Sequence, residues 1–358
     1  MRGRRSLLAW VFALPLFFPS GAPAAEPEEI WRQLGKLSGE ERQRLLVSKA
    51  KEEGEVVWYS TLAVEQGEAL REEFERRYPG VRATIWRGRG EAVVNRFLTE
   101  SKAGKFAVDV LSGSNENLPV VMKANLVGRY TSPERRFYSD AHKDREGYWT
   151  SLVDVVAVIA YNTRLVSKAD APKKYEDFLE PKWMSSFAID RNPDRAMMVW
   201  LKTWGKEKTE KFLQGLVRNG AAVRSGHNLT VQLLCAGEFK AAIEVYAFRV
   251  QSLKRQGCPV EIVFPDPTPG AVTPIYLGKR SPHPYAAALL MDYLLSDSGQ
   301  RILVDKGLMH SGRQGIQPKV PELDLEQRRV KTLLLVPVDG EKLGKHYLEL
   351  QSRYLLNR

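Results

Sequence analysis

The chain has 358 residues, of which 43% are hydrophobic and 27% are charged, and its formal net charge is +11. This length and apolar content suffice for two domains with hydrophobic cores and exclude an intrinsically disordered protein. The lysines and arginines form no run of five or more and are interspersed with acids, a pattern that favours anionic small molecules over nucleic acid as partners.

The first 24 residues have the pattern of a cleavable secretory signal. Three arginines among the first five residues precede an apolar run over 7–18, and Ala22-Pro23-Ala24 is a small-residue cleavage site, with cleavage predicted after residue 24. The apolar run is too short to span a bilayer. We therefore expect an exported protein, which also argues against a nucleic-acid partner. The Arg4-Arg5 pair allows a twin-arginine signal, although an ordinary Sec signal is the favoured interpretation.

After a charged helical leader over 25–54, strands alternate with amphipathic helices. Strands are predicted at 56–59, 81–85, 108–111, 186–190, 221–223 and 241–245. This order implies an α/β fold in which mainly parallel sheets are covered by helices. The apolar run Leu152–Tyr161 suits a strand that crosses between two lobes, and Val260–Gly270 suits the return crossing.

These patterns predict two lobes, the first of them discontinuous. Lobe 1 is expected to comprise 55–151 and 265–309, and lobe 2 to comprise 152–264. The remaining segment, 310–358, is expected to be a helical segment that packs on the lobes.

Tyr246 follows the buried strand 241–245 and precedes a predicted helix. Ligands of open α/β sheets bind in the crevice beyond the carboxyl ends of the strands, so Tyr246 is a candidate ligand-binding residue, with core packing as the alternative. Other polar residues at strand-to-helix junctions are further candidates, or they only cap helices. They are Ser60, Thr61, Ser112, Ser114, His227 and Asn228.

Arginines recur at three predicted strand-to-helix junctions. They are Arg87 and Arg89, Arg191 and Arg195, and Arg224. Helix amino termini attract anions, and a guanidinium adds planar, charged donors suited to carboxylate or phosphate. Arg89, Arg191 and Arg195 are therefore candidate anion-binding residues. The alternative is that such arginines are solvated or paired with local acids such as Glu91 and Asp194.

Familiar catalytic and cofactor motifs are absent from the sequence, including HExxH, GxSxG and a phosphate-binding loop. The histidines are scattered and show no metal-ligand spacing, so we predict neither a cofactor nor an enzyme. The two cysteines, Cys235 and Cys258, flank the strand before Tyr246. They either form a disulfide or remain as two buried thiols, and neither state implies catalysis.

Several motifs carry a family resemblance: VVWYST, PGVRATIWRGRGEAVVNRF, VDVLSGS, AYNTRLV, AGEFKAAIEVYAFRV and SPHPYAAALLMDYLLSDSGQRILVDKG. Over 55–307 the chain resembles periplasmic solute-binding proteins of ABC importers, in particular their ferric-iron-binding branch. The resemblance implies a type II periplasmic-binding-protein fold with two crossing strands. It also implies a monomeric periplasmic receptor that closes by hinge bending and delivers its solute to an inner-membrane permease.

The resemblance is weaker at the residues that define the solute. Ferric-binding members use two adjacent tyrosines after the central strand, a histidine after the first strand and an acid after the third. Here Ala247 follows Tyr246, and the other two positions fall near Ala63 and Ser114. One phenol among arginines suits an anion better than a bare trivalent cation.

We therefore predict a receptor for a small anionic organic solute that carries a carboxylate, phosphate or phosphonate. One alternative is a ferric-iron receptor that uses Tyr246 together with a synergistic anion. A second alternative is a periplasmic enzyme built on the same fold.

Overall fold

The computed structural model describes residues 26–356, so the predicted signal peptide lies outside the described residues. These residues form one sheet of eleven strands surrounded by helices. The strands are β1 (Glu55–Ser60), β2 (Arg82–Arg87), β3 (Val110–Ser112), β4 (Val127–Gly128), β5 (Thr150–Asn162), β6 (Phe187–Asp190), β7 (Ala222–Arg224), β8 (Ala241–Tyr246), β9 (Val260–Val263), β10 (Thr268–Gly278) and β11 (Thr332–Leu335).

The helices lie between and around these strands. They are α1 (Pro27–Leu34), α2 (Gly39–Glu53), α3 (Val64–Arg77), α4 (Gly90–Lys102), α5 (Leu118–Lys123), α6 (Asp194–Trp204), α7 (Lys206–Arg218), α8 (His227–Ala236), α9 (Ala247–Arg255), α10 (Pro284–Leu295), α11 (Asp297–Arg301) and α12 (Pro337–Gln351).

Two long strands, β5 and β10, run through the middle of the sheet and join its halves. They pair antiparallel with each other. On one side, β10 pairs with β3, and β3, β1 and β2 are parallel. On the other side, β5 pairs with β8, and β8, β6 and β7 are parallel. The predicted architecture of two mainly parallel lobes joined by two crossing strands is confirmed.

We call the half built on β1–β3 lobe 1 and the half built on β6–β8 lobe 2. Because β5 and β10 belong to both halves of the sheet, the predicted boundaries at 152, 265 and 310 stay a prediction. Separate apolar clusters fill the two halves. Trp58, Leu70 and Phe74 are buried in the cluster of lobe 1, whereas Trp200 and Ile243 are buried in that of lobe 2.

The position of β5 in the middle of the sheet explains the apolar run Leu152–Tyr161. Every residue of β5 is buried, and strands covered on both faces are hydrophobic throughout rather than alternating. β10 is also buried along its length. The predicted return crossing, Val260–Gly270, is misplaced, because residues 260–263 form the separate strand β9, which pairs with β5, and the crossing strand β10 begins only at Thr268. Over residues 268–271, β10 pairs with β11, a strand that the sequence pattern did not predict.

The two ends of the described chain pack against these lobes. In the leader, α1 and α2 bury Trp31, Leu34 and Leu46 in the core of lobe 1. At the other end, α12 forms ion pairs with both lobes, which are described below. None of the helices within residues 26–356 combines the length and apolar character that a membrane crossing requires.

Cys235 and Cys258 form a disulfide with their Cα atoms 5.5 Å apart. The structure thus selects one of the two alternatives that the sequence left open. The crosslink connects the last turn of α8 to the segment between α9 and β9.

Candidate functional site

The carboxyl ends of β6 and β8 meet the amino ends of α6 and α8 where lobe 2 faces lobe 1. We call this boundary between the lobes the cleft. Asp190 is the last residue of β6, and Tyr246 is the last residue of β8, so Tyr246 lies where the sequence predicted it. Side chains from these four elements converge here, and we call the group the cleft cluster. Its members are Asp190, Asp194, Arg195, His227, Glu244 and Tyr246.

Glu244 is a carboxylate within the otherwise apolar strand β8, and none of its surface is exposed. Its oxygens accept hydrogen bonds from the backbone N–H groups of Arg195 at 2.9 Å and Ala196 at 3.0 Å. Glu244 therefore caps the amino terminus of α6, where a negative charge is favourable. The predicted anion site at this helix start is thus filled by the protein's own carboxylate.

The backbone of Glu244 has φ +54°, and the pairing of β5 with β8 is irregular nearby. A non-glycine residue in the left-handed region costs about 1–3 kcal/mol and persists only where its surroundings enforce it. Such residues cluster at functional sites. The strained position aims the carboxylate at the start of α6 and at its neighbours in the cleft.

His227 stacks on Tyr246, with ring centroids 4.2 Å apart and an interplanar angle of 13°. Its Nδ1 lies 3.8 Å from Asp190 Oδ2, and its Nε2 lies 3.8 Å from Glu244 Oε1. Both distances are too long for hydrogen bonds, and Nε2 is buried without a partner among the described residues. Burial opposes protonation, but Glu244 and Asp190 outweigh it and raise the pKa of His227.

Arg195 is 8% exposed, and its charge is matched within the cluster. One terminal nitrogen donates to Asp194 Oδ2 at 2.9 Å and to the Tyr246 hydroxyl at 3.1 Å. The guanidinium also lies over the Tyr246 ring, 4.9 Å from its centroid. Arg195 Nε is buried and has no partner among the described residues, so this side chain retains one donor.

Lobe 1 contributes a further carboxylate, Glu116, from the loop after β3. Burial, and then the charge of Asp194, raise the pKa of Glu116 to about 7, although Arg195 opposes this shift. Burial and Asp194 also raise the pKa of Glu244 to about 7. Like charges in a buried site disfavour ionisation of one another. The site therefore holds more negative charge than Arg195 can neutralise.

Three side chains of the cleft cluster have donor atoms that are close enough together to hold a metal ion. One donor atom each from Asp194, His227 and Glu244 lie within 4.8 Å of one another. Carboxylate oxygens together with an imidazole nitrogen suit first-row transition metals. The hydroxyl of Tyr246 is adjacent, because it shares the Arg195 donor with Asp194.

Residues 113–332 match the family model described as bacterial extracellular solute-binding protein. This match covers more than half of the chain. The protein belongs to this family. Its members are binding proteins, which agrees with the absence of catalytic motifs from the sequence.

Solved structures with the same fold are solute-binding proteins as well. Iron-bound HitA from Pseudomonas aeruginosa has a TM-score of 0.74 and 20% identity, and the match covers 84% of this chain and 99% of that one. IdiA (FutA) from Trichodesmium, in complex with iron and citrate, has a TM-score of 0.68 and 19% identity over the same shares of the two chains. AfuA from Actinobacillus pleuropneumoniae, with bound fructose-6-phosphate, has a TM-score of 0.73 and 20% identity over 84% and 98%. At these identities the likeness establishes the fold alone, and it confirms the predicted periplasmic-binding-protein fold.

Of the candidates predicted in lobe 2, the structure brings Arg195, His227 and Tyr246 together. Asn228 is exposed on α8. Arg191 lies at the rim, where its guanidinium reaches the backbone carbonyl of Leu356 at 3.4 Å. A contact of these two residues with solute stays a prediction.

In lobe 1, Ser60 and Ser112 end neighbouring strands and are buried. Their hydroxyl oxygens lie 3.0 Å apart, and Ser112 also accepts a hydrogen bond from the indole of Trp58 at 3.0 Å. Thr61 follows Ser60 and packs its methyl group against Gly113. These serines therefore fasten β1 to β3, and a role in solute binding stays a prediction.

Arg89 and Ser114 lie on adjacent loops at the edge of lobe 1. A Cβ atom at Gly90 would be 2.2 Å from the Ser114 hydroxyl oxygen, so the two loops approach closely at this point. Ser114 is close enough to Glu116 to oppose slightly the rise in the pKa of this carboxyl group. Arg89 precedes α4 with an exposed side chain, close to the loop that presents Glu116.

Sequence reasoning missed the acidic members of the site, namely Asp190, Asp194 and Glu244 in lobe 2 and Glu116 in lobe 1. One signal was available, because a glutamate inside the apolar strand AAIEVY is costly unless it is partnered. Glu116 lies only two residues after Ser114, where the resemblance led us to look for an acid.

Proposed function

We propose that this protein is the periplasmic receptor of an ABC importer and that its cargo is a metal ion. In this proposal Asp194, His227 and Glu244 bind the ion from lobe 2, with Tyr246 beside them, and Glu116 approaches from lobe 1. A first-row metal such as iron fits this mixture of oxygen and nitrogen donors.

The observation that carries the proposal is the convergence of three donor atoms within 4.8 Å in a partly buried, acid-rich cluster. Carboxyl groups with pKa values raised to about 7 are held partly neutral by burial and by each other. A cation bound among them would relieve this repulsion, whereas an anion would increase it. The charge balance of the site therefore favours a cationic centre.

The fold supports a receptor that works by closure. Donors from both lobes face one cleft, and the two crossing strands that join the lobes are the natural position for a hinge. Closure around the ion would bring Glu116 to the donors of lobe 2. The closed form would then be the one that an inner-membrane permease recognises.

The test is metal binding by protein that has first been stripped with a chelator. We expect one iron per chain when the protein is titrated with ferric citrate, counted by native mass spectrometry and elemental analysis. Asp194→Asn removes a charged donor and should weaken binding at least about 100-fold, roughly 2.7 kcal/mol. Asp297→Asn is the matched control, because this exposed aspartate pairs with Arg301 in the same short helix, α11, and it should leave binding unchanged.

A small anionic solute, alone or together with the metal, is the second candidate. The buried Nε of Arg195 favours it, since this donor has no partner among the described residues. In this case Arg89→Ala should weaken binding of citrate or phosphate about tenfold, roughly 1.4 kcal/mol, in a calorimetric titration without metal. Arg82→Ala, which removes another exposed arginine of lobe 1, is the control. Binding of metal alone with no affinity for either anion would reject this candidate.

A further inference from the structure

The C-terminal helix α12 extends from lobe 2 to lobe 1 across the cleft. On lobe 1, Lys123 Nζ lies 2.8 Å from Glu341 Oε1. On lobe 2, Lys202 Nζ donates to Asp339 Oδ1 at 2.6 Å. This helix therefore contacts both lobes, which must separate when the cleft opens.

The anchorage of α12 is stronger on lobe 2. Lys206 pairs with Glu349 at 2.8 Å, and the side chain of Gln351 donates to the backbone carbonyl of Arg191 at 3.1 Å. Just beyond the helix, the Tyr354 hydroxyl donates to Glu210 at 2.7 Å. On lobe 1 the ion pair between Lys123 and Glu341 is largely exposed, and such pairs contribute little. The helix is thus fixed to lobe 2 and reaches over to lobe 1.

One face of α12 is directed at the cleft. Gly340, Tyr347 and Gln351 are spaced by seven and four residues, which puts them on the same side of the helix. A Cβ atom at Gly340 would lie 2.9 Å from the Cα atom of Glu116. This end of the face therefore packs on the loop of lobe 1 that carries Glu116. Gln351 marks the other end, at the turn after β6. Tyr347 lies between them.

The surroundings of Tyr347 agree with this position. Its ring is partly buried against the apolar core of lobe 2. Burial, followed by the charges of Asp194, Glu244, Glu116 and Asp190, raises the pKa of the Tyr347 hydroxyl. This phenol is therefore within electrostatic reach of all four carboxylates of the site.

We propose that Tyr347 is a cargo-binding residue, delivered by α12 as the cover of the cleft and supplying a second phenol oxygen beside Tyr246. The inference rests on the proposed metal cargo. A hard metal ion prefers several oxygen donors, and the chain has alanine directly after Tyr246. On binding, the hydroxyl would exchange its O–H bond for a bond to the metal and release the proton to solvent.

The test compares Y347F with Y354F, each loaded with ferric citrate. Tyr354 is a matched control, because it loses the same hydroxyl from the same C-terminal segment but donates to Glu210 on lobe 2. We expect Y347F to bind iron at least tenfold more weakly and to lose part of the visible phenolate-to-iron charge-transfer absorption. Y354F should keep both the affinity and the spectrum.

A merely structural role of Tyr347 would change the thermal melting of the metal-free protein and leave the charge-transfer band of the loaded protein intact. Unchanged affinity and an unchanged band in Y347F would overturn the inference while the metal function stands. If the unaltered protein binds no iron, the proposed function itself fails. The two failures are therefore distinguishable.

Discussion

Two buried carboxylates in this protein, Asp109 and Glu244, have opposite surroundings. Asp109 precedes β3 in lobe 1 and accepts four hydrogen bonds. The donors are the backbone N–H groups of Val57 at 2.8 Å and His283 at 2.9 Å, the Ser281 hydroxyl at 2.5 Å and His283 Nδ1 at 3.0 Å. Glu244 accepts two backbone N–H groups and faces further carboxylates.

We infer from this difference that Asp109 has a structural role, whereas the charge of Glu244 is available for binding. Around Asp109 the chain supplies donors to both carboxylate oxygens, so the site is complete without any ligand. Around Glu244 the chain leaves His227 Nε2 and Arg195 Nε without partners among the described residues. The backbone of Glu244 itself is strained, with φ +54°. Buried polar groups that are left incomplete need an explanation, and a bound cargo is the one that we propose.

The largest effect on stability is expected for Asp109→Ala. The substitution leaves buried donors of β1 and of the segment before α10 without an acceptor. Removing one partner of such a buried charged network costs about 3–5 kcal/mol. Urea unfolding should report this loss in the free energy of unfolding. A loss below about 1 kcal/mol would contradict the structural role that we assign to Asp109.

Glu244→Gln should produce the opposite pattern. We expect iron binding to weaken about 100-fold, roughly 2.7 kcal/mol, because a charged donor is lost from the site. The free energy of unfolding should change by less than about 1 kcal/mol, since the amide keeps one acceptor for the start of α6 and removes buried negative charge. Calorimetric titration and urea unfolding of the same preparation measure both quantities. A severe loss of stability with intact binding would reverse the comparison with Asp109.

A smaller effect is expected for Gly340→Ala in α12. Alanine favours the helix by about 1 kcal/mol, but its Cβ would lie 2.9 Å from the Glu116 backbone and force α12 away from lobe 1. Iron affinity should therefore fall about tenfold, roughly 1.4 kcal/mol. Gly344→Ala on the same helix, where a Cβ meets no atom within 4 Å, is the control. Equal affinities of the two variants would show that the contact with lobe 1 does not matter for closure.

The smallest effect is expected for the pH dependence of stability, through the hydrogen bond between His283 and Asp109. The hydrogen bond to Asp109 raises the pKa of His283 above its usual value of 6.5, so folding favours the protonated imidazole. This contribution is fully present below about pH 6.5 and is lost as the pH rises through the raised pKa. Because His283 is partly exposed, we expect less than about 1 kcal/mol. Thermal melting across this range should show a dependence on pH that His283→Asn reduces.

Much of the fold could be predicted because the local signals agree with the tertiary structure. The apolar run Leu152–Tyr161 correctly predicted a crossing strand, which the structure shows as β5. Helix α3 ends at Arg77, just before the helix-breaking pair Pro79-Gly80, and Gly80 adopts φ +97°, a conformation that favours glycine. By contrast, β11 has no such signal, because its pairing with β10 brings together residues that are more than 60 positions apart.

The site was harder to predict than the fold. The carboxyl end of a parallel strand is a general position for ligands, so Tyr246 and its neighbours His227 and Arg195 could be named in advance. The role of Glu244 in the middle of β8 could not be predicted, since it depends on an irregular backbone and on hydrogen bonds to the start of α6. Nor could Tyr347, because the crossing of α12 over the cleft depends on ion pairs between distant segments.

The disulfide between Cys235 and Cys258 spans 23 positions of the sequence, and Glu244 and Tyr246 lie inside this span. Glu244 and Tyr246 therefore belong to a covalent ring, whereas Asp194 and His227 lie outside it. By restricting the unfolded chain, a ring of this size stabilises the native state by about 3 kcal/mol. Reduction should loosen lobe 2 while lobe 1 has no such bond to lose, so the integrity of lobe 2 depends on the redox state of its surroundings.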